Sequence, residues 1–589
     1  NLTFLMAMLP PDSFGSGRAV DRLWWAAATM IVVGFVAWSY ALLRGATSPA
    51  WQDTEGYLGH ALYIAENGGF WGFLEQCFTG EFPIVERHPL YSLLLAAFAS
   101  RSASFFWYAK IFDLACGLAL LISVIWMVRK RLGAPQALIA GLLYAISSSL
   151  VIASSHVNHE TQFSLCVLWI WWFLTDVPAQ PGVAAELSQK KRRWVIAGVL
   201  FGLAFLIKSS ISLFALSFVI AGFWHLRWNL VNNSRPWLLA AAALLVASPL
   251  LVRNVIAFGT PLYEGMNAHI MWLDSWAETG SPDSVMHYGP HAYIVIEKNG
   301  LPTMSDYLAK NDAVDIGKRL VRGLVRQVTV VARNAVAPTA PVPATAAAAW
   351  GFMVLGLAVA GWWFRRRSWE GRLLFVSSAA FLVFFGWNHM FPDIRYLAPF
   401  VPIWIAFAAG MLWTLLCRVF SEANARRLVM LPCALLAIGA GAWSANVVAT
   451  TSPPLMEISP SYQRLLQWME RVPRPGDRIL LGPTDEFYGA LWLVRNPVSI
   501  IYTPYVDSIE AFNAYLRDRK VRYFVMNTEN VHGQRGVLRE PMAGYAEVTA
   551  DGQLVEKQVL PGWRRVGVDE SVPRRFYIYE SDWAGAAVP

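Results

Sequence analysis

Asp53, Glu55 and Tyr57 lie in the run Trp51-Gln52-Asp53-Thr54-Glu55-Gly56-Tyr57, just after the first long apolar segment of the chain. A carboxylate there could take the proton from an incoming hydroxyl or amine. It could also cap the helix that the following residues are patterned to form through Tyr63, and the two roles are compatible. A second group is Glu86-Arg87-His88-Pro89-Leu90-Tyr91. The planar fork of Arg87 suits a phosphate. The plainer reading is an interfacial arginine that keeps its charge in water.

The third group, His156-Val157-Asn158-His159-Glu160, places a second carboxylate beside imidazoles. This suits acid–base chemistry, or a divalent ion with Asp53 and Glu160 as its ligands. The order His-x-x-His-Glu differs from the His-x-x-Glu-His of inverted zinc hydrolases, so a zinc site is not expected. A loop that caps the next helix is the plainer reading. The fourth group is cationic: Lys208, Arg253 and Arg395, with Tyr396, His389 and Asp393 near the last. Each lies at an outer end of an apolar run, where cations are the exception. An anionic lipid headgroup would explain them, as would pairing with loop acids such as Glu264 and Asp393.

Together these groups read as one external cavity holding carboxylates and phosphate-binding cations. That set suits transfer of a group away from a lipid phosphate. Lys and Arg would stabilise the leaving phosphate, and a carboxylate would deprotonate the nucleophile. No nucleotide motif is present. No cofactor is required by this chemistry, and a divalent metal ion is the one addition it would accommodate.

The elements that position these residues follow from composition. Of 589 residues, 56% are hydrophobic and 15% charged, with a mean hydropathy of +0.40 and 28 tryptophans. Soluble domains carry about 25% charged residues, so the main solvent of this chain is lipid. The net charge of +8 fits cytoplasmic loops and anionic lipid better than nucleic acid. Five cysteines form no disulfide framework and no metal spacing. No removable signal peptide is read, so the first span serves that role.

About eleven apolar runs are expected to span, at 23–43, 105–128, 134–154, 162–174, 195–207, 211–226, 237–252, 347–364, 373–387, 397–416 and 428–448. The basic clusters Arg129-Lys130-Arg131, Lys190 to Arg193, Arg365-Arg366-Arg367 and Arg426-Arg427 then fall on one side, the cytoplasm, with the N-terminus. The segment 89–100 is too short to span and reads as interfacial. External loops cover 45–104 and 254–346, the latter with a basic amphipathic helix over about 312–333. From 452 the composition turns soluble. Strands are expected at 478–482, 498–502 and 523–527, and helices at 486–494 and 508–519, the last with Asp507 and Glu510 as a capping pair. A hairpin should turn at Asp551-Gly552. The fold class is a polytopic α-helical membrane protein with a small C-terminal α/β domain outside the cytoplasm. Residues 1–451 form the transmembrane catalytic domain and 452–589 the periplasmic one.

In its motifs the chain resembles the GT-C glycosyltransferases that use polyprenyl-phosphate sugars, nearest to the protein O-mannosyltransferase and lipid A aminoarabinose transferase branch. The likeness covers about 23–416. Asp53 and Tyr57 keep the spacing of the family's D-E-x-x-Y, with Thr54 at the usual Glu position and Glu55 one residue later. Glu86-Arg87-His88-Pro89-Leu90 is similar to E-K-P-P-L, with Arg87 in place of the phosphate-binding lysine. Glu160 matches the acidic residue that opens a later helix, and Lys208 the lysine of an L-T-K-G-P-like segment. Arg253-Asn254 before Gly259 and Pro261, and Arg395-Tyr396 before Pro399, complete the set.

The resemblance implies a GT-C-like enzyme of a bacterial inner membrane, with its active site facing outwards. It would move a sugar from an undecaprenyl-phosphate-like donor to a lipid, glycan or protein acceptor, by direct displacement with inversion. Asp53 would be the base, assisted by Glu55 and Glu160. Arg87, Lys208, Arg253, Arg395 and Tyr396 would grip the donor phosphate, and Tyr57, Glu86, His88, His159 and His389 would line the substrate site. Other readings stay open: an O-antigen ligase-like enzyme with a diphosphate-linked donor, a lipid or glycan transporter, and a scaffold. The internal repeats usual in transporters are not evident.

Overall fold

The computed structural model describes residues 18–49, 53–84, 87–175, 191–263, 271–273, 286–288, 294–296, 303–335, 343–387, 394–450, 453–481, 490–501, 506, 508–528, 531, 542–571, 573 and 575–584. Its labelled helices are, in chain order, α1 (Arg18–Gly45), α2 (Thr54–Glu66), α3 (Gly69–Thr79), α4 (Pro89–Ala96), α5 (Ala103–Leu132), α6 (Ala134–Ile146), α7 (Glu160–Thr175), α8 (Lys191–Ile207) and α9 (Ile211–Leu226). Then follow α10 (Ser234–Phe258), α11 (Ala313–Asn334), α12 (Ala344–Arg365), α13 (Trp369–Trp387), α14 (Val401–Val419), α15 (Glu422–Thr450), α16 (Pro460–Arg471) and α17 (Ile509–Asp518).

A helix lies at each apolar run expected to span. Among the described residues, seven segments are long and apolar enough to cross a membrane: those of α1, α5, α10, α12, α13, α14 and α15. The other four, α6 to α9, have 13 to 17 residues, short of the ~20 a straight span needs. The run 134–154 is shortened by its serines. Backbone at Ser147 turns extended, and the Ser147 and Ser149 hydroxyls both donate to the carbonyl of Ala335, each at 2.6 Å.

The chain divides into two compact units. The first comprises residues 1–46, 108–250 and 313–453. In it α1 packs along α15, α12 along α14, α7 along α8, and α13 against both α9 and α11. The amphipathic helix expected over 312–333 is α11. It buries Arg319, Gly323, Gln327 and Val331 and leaves Val321 and Val325 exposed. Gly323 lies so close to α13 that a Cβ would stand 1.6 Å from the carbonyl oxygen of Gly386. Small residues permit such backbone approach between helices.

The second unit gathers 47–107, 251–312 and 454–589. Its centre is a seven-stranded sheet. The strands are β1 (Met286–Tyr288), β2 (Ile294–Ile296), β3 (Arg478–Leu481), β4 (Ser499–Ile501), β5 (Val521–Asn527), β6 (Ala546–Val548), β7 (Leu554–Glu556), β8 (Trp563–Val568) and β9 (Phe576–Ser581). The sheet runs β2-β1-β4-β3-β5-β9-β8, with β6 and β7 as a separate pair. β3 is parallel to β4 and β5, and the outer strands are antiparallel.

Alternate residues feed two cores. Ile479, Leu481, Tyr523, Val525 and Ile578 pack with Leu465 and Met469 of α16. Leu480, Phe524, Met526 and Tyr579 pack with Phe512 and Leu516 of α17. A sheet buried on both faces explains why β3 to β5 read as unbroken apolar runs.

The hairpin at Asp551-Gly552 forms between β6 and β7. One local reading is corrected. α17 is capped by Ser508, whose hydroxyl accepts the Ala511 N–H at 3.1 Å; Asp507 lies outside the described residues, and a serine in this position satisfies the helix end. Of the helix expected over 486–494, the described part holds a 3-10 turn at Leu491–Leu493; residues 482–489 lie outside the described ones.

Candidate active site

In the second unit the site residues are set by α2 and α4. Asp53 occupies the N-cap position of α2, but its side chain makes no capping hydrogen bond. Its Oδ1 instead accepts from Arg87 Nη2 at 3.0 Å, the arginine side chain 11% exposed and the carboxylate 40%. Arg87 is held on the other side by aromatic packing. Its guanidinium lies 5.0 Å from the Tyr57 ring centre, and Tyr57 meets Tyr91 edge to face at 4.9 Å. His88 and Pro89 start α4 from an extended backbone, the geometry a proline at the first helical position favours. Glu55 is buried in the first turn of α2, where helix polarity favours an acid.

In the first unit Glu160 opens α7 and Lys208 follows the last residue of α8. Lys208 Nζ donates to Glu160 Oε1 at 2.8 Å, and His159 Nε2 stands 3.6 Å from the same oxygen. The ammonium also faces the Tyr396 ring at 5.3 Å, and Tyr396 stacks on Phe385 at 4.1 Å. Glu160 is almost wholly buried, yet its Oε2 has no hydrogen-bond partner among the described residues. An unsatisfied buried oxygen costs about 1–3 kcal/mol and points to a group that arrives with a ligand. The capping reading of this loop holds as well, through another residue: Asn158 Oδ1 accepts the Glu160 N–H at 3.0 Å.

Arg395 and Tyr396 share a single 3-10 turn, Ile394–Tyr396, both half-buried. Arg253 is different. It is 2% exposed, donates to the Ile84 carbonyl at 2.9 Å and lies between the rings of Phe82 and Phe258. In this structure it ties the 81–84 segment to the end of α10. Glu86, His389 and Asp393 lie outside the described residues. Among the described residues no three His, Cys, Asp or Glu side chains gather as metal ligands, and Asp53 and Glu160 are each engaged by a cation.

Sequence reading passes over two buried ionisable residues inside α5, Lys110 and Asp113. The signal that marks them is their position: charges three residues apart within an apolar span are costly and seldom idle.

Residues 86–252 match the family profile described as dolichyl-phosphate-mannose-protein mannosyltransferase. No curated protein matches the chain. Among solved structures, apo ArnT from Cupriavidus metallidurans is similar with a TM-score of 0.52 at 14% identity, over 97% of this chain and 100% of that one. The same protein bound to undecaprenyl phosphate gives 0.51 at 14%, over 95% and 98%. The Archaeoglobus fulgidus oligosaccharyltransferase tethered with an acceptor peptide containing the NVT sequon gives 0.53 at 14%, over 91% and 74%. At this identity the structures speak to fold. The chain therefore shares the fold of these proteins, and its residues 86–252 are similar to that mannosyltransferase family.

Proposed function

We propose that the chain transfers a sugar from a polyprenyl-phosphate donor to an acceptor on the outer side of a bacterial inner membrane. The observation that carries this is the buried Glu160–Lys208 pair at the start of α7 and just past the end of α8, with Glu160 Oε2 left without a partner among the described residues. An ammonium beside a half-satisfied carboxylate suits a ligand with both an anionic oxygen and a hydroxyl, which a sugar phosphate supplies. The undecaprenyl phosphate held by the Cupriavidus metallidurans protein of similar fold points the same way.

In this reading the acceptor hydroxyl or amine attacks the anomeric carbon as the carbon–oxygen bond to phosphate breaks. The bond's electron pair leaves on the phosphate oxygen, and the acceptor proton passes to Asp53. Arg87 orients that carboxylate, Lys208 and Arg395 meet the phosphate charge, and Tyr396 lines the ammonium. The donor's carrier stays intact as polyprenyl phosphate, so no nucleotide is consumed.

The test is donor turnover in proteoliposomes with undecaprenyl-phosphate-linked sugars, comparing Asp53→Asn and Arg87→Ala with the parent chain. Both changes should lower turnover about a hundredfold or more. Survival of turnover in both variants would overturn the site. Mass spectrometry of envelope lipids and glycans with and without the protein identifies the sugar and the acceptor class together.

A further inference from the structure

One turn of α5 carries two buried ionisable side chains that the proposed chemistry does not use. Lys110 is 1% exposed and Asp113 fully buried. Lys110 Nζ donates to the carbonyls of Leu43 and Ala46 at 2.9 and 2.7 Å. It thereby satisfies carbonyls at the C-terminal end of α1, where a cation is favoured.

Asp113 reaches a different segment. Its Oδ2 accepts the backbone N–H of Asn158 at 3.2 Å, and its Oδ1 accepts from Gln162 Nε2 at 2.5 Å. These two donors lie on either side of Glu160 in the chain. Asn158 in turn uses its own side chain on Glu160, accepting that residue's N–H at 3.0 Å, and donates to the carbonyls of Ala153 and His156. Five residues, 158 to 162, are therefore fixed at both ends by one carboxylate on a neighbouring helix.

An acid inside a membrane helix is costly, and a neutral residue would fill the same space at less cost. What the carboxylate adds is two acceptor oxygens at a fixed spacing. They set the start of α7, and with it the direction in which Glu160 leaves the helix towards Lys208. We infer that Asp113 is a positioning residue that acts through Glu160, holding it in register with Lys208 for the donor. This rests on the proposed role of Glu160.

The substitution Asp113→Asn keeps the volume and one acceptor oxygen, but turns an NH2 group towards one of the two donors. In the reconstituted full chain, with an undecaprenyl-phosphate-linked sugar as donor, kcat should fall about tenfold or more, while KM for the donor moves less than about twofold. The discriminating measurement is a double-mutant cycle with Glu160→Gln. If Asp113 acts through Glu160, adding Asp113→Asn to Glu160→Gln changes kcat by less than about twofold.

Equal losses in both backgrounds, or an Asp113→Asn chain with the parent kcat, would overturn the positioning role and leave the site reading standing. An unaltered kcat in Glu160→Gln alone would overturn the site reading, and the inference with it. Should Asp113→Asn fail to fold, Gln162→Leu removes one of the two anchors from the other side. The same cycle then decides the matter, with non-additivity as the supporting result and additivity as the opposing one.

Discussion

A methyl group added at Gly56 would land on the Arg87 guanidinium, since a Cβ there would stand 1.1 Å from Arg87 Nη1. The obstructed atoms are the far end of a flexible side chain, so Gly56→Ala should swing Arg87 away and spare the fold. We expect about tenfold or greater loss of turnover, from loss of the Asp53–Arg87 pair, with the melting temperature shifted by no more than a few degrees. Unchanged kinetics would show that the pair is not needed. Lys208 tests the opposite kind of coupling. Removing it leaves Glu160, 3% exposed, as an uncompensated buried charge. Lys208→Met should cost on the order of 3 kcal/mol, and adding Glu160→Gln should return much of it, measured by thermal unfolding in detergent. These residues were legible in the sequence because they are charges at the ends of apolar runs. Their pairing was not: nothing in spacing tells that Asp53 turns from its helix to Arg87, or that Arg253 donates to the Ile84 carbonyl.

Among elements, the long spans could be read because twenty apolar residues leave little choice of structure. The strands β3 to β5 were legible as short apolar runs. β1 and β2 were not, because three residues carry no periodicity and their pairing with β4 is remote in sequence. Joints between elements were equally hidden, and two of them can be tested. Arg101 grips Glu66 at the end of α2 through Nε and Nη2, at 3.0 and 2.9 Å, and donates from Nη1 to the carbonyls of Trp492 and Val494, both at 2.7 Å. Arg101→Ala should raise amide exchange about tenfold at both segments, consistent with roughly 1–2 kcal/mol of local stability. Equal protection in the variant would show that other contacts hold the joint.

Asp569 follows β8 and is buried. Burial raises its pKa, but hydrogen bonds from Ser571, Arg464 on α16 and the Arg575 backbone outweigh this and hold it at about 2. The folded value lies below the unfolded one, so the stabilisation is present above the unfolded pKa of about 4 and is lost as pH falls through about 2. It amounts to on the order of 2 kcal/mol. Asp569→Asn should therefore lower stability near neutral pH and flatten its fall in acid, seen as thermal unfolding of the second unit's signal across that range.

At the scale of the whole molecule the open matter is direction across the membrane. In the first unit the basic clusters sit with tryptophan. Arg129 lies 3.8 Å from the Trp24 ring centre, Arg131 4.7 and 4.5 Å from those of Trp171 and Trp172, and Arg366 4.0 Å from that of Trp363. Arginine stacked on indole at the ends of apolar helices is what a headgroup region selects, and an excess of arginine selects the cytoplasmic one. Cys417 reports on this without an added label site. It is exposed, one residue before Arg418 near the end of α14, whereas Cys77 and Cys433 are buried. Burial also pushes the Cys77 thiol up to about 12, so it stays protonated and unreactive near neutral pH. A membrane-impermeant maleimide should therefore label Cys417 in inverted membrane vesicles and leave it untouched in intact spheroplasts, with Cys417→Ser abolishing the signal. Labelling in spheroplasts would reverse the direction of every span, and would place the Glu160–Lys208 pair at the cytoplasmic ends of its helices, on the wrong side for an external acceptor.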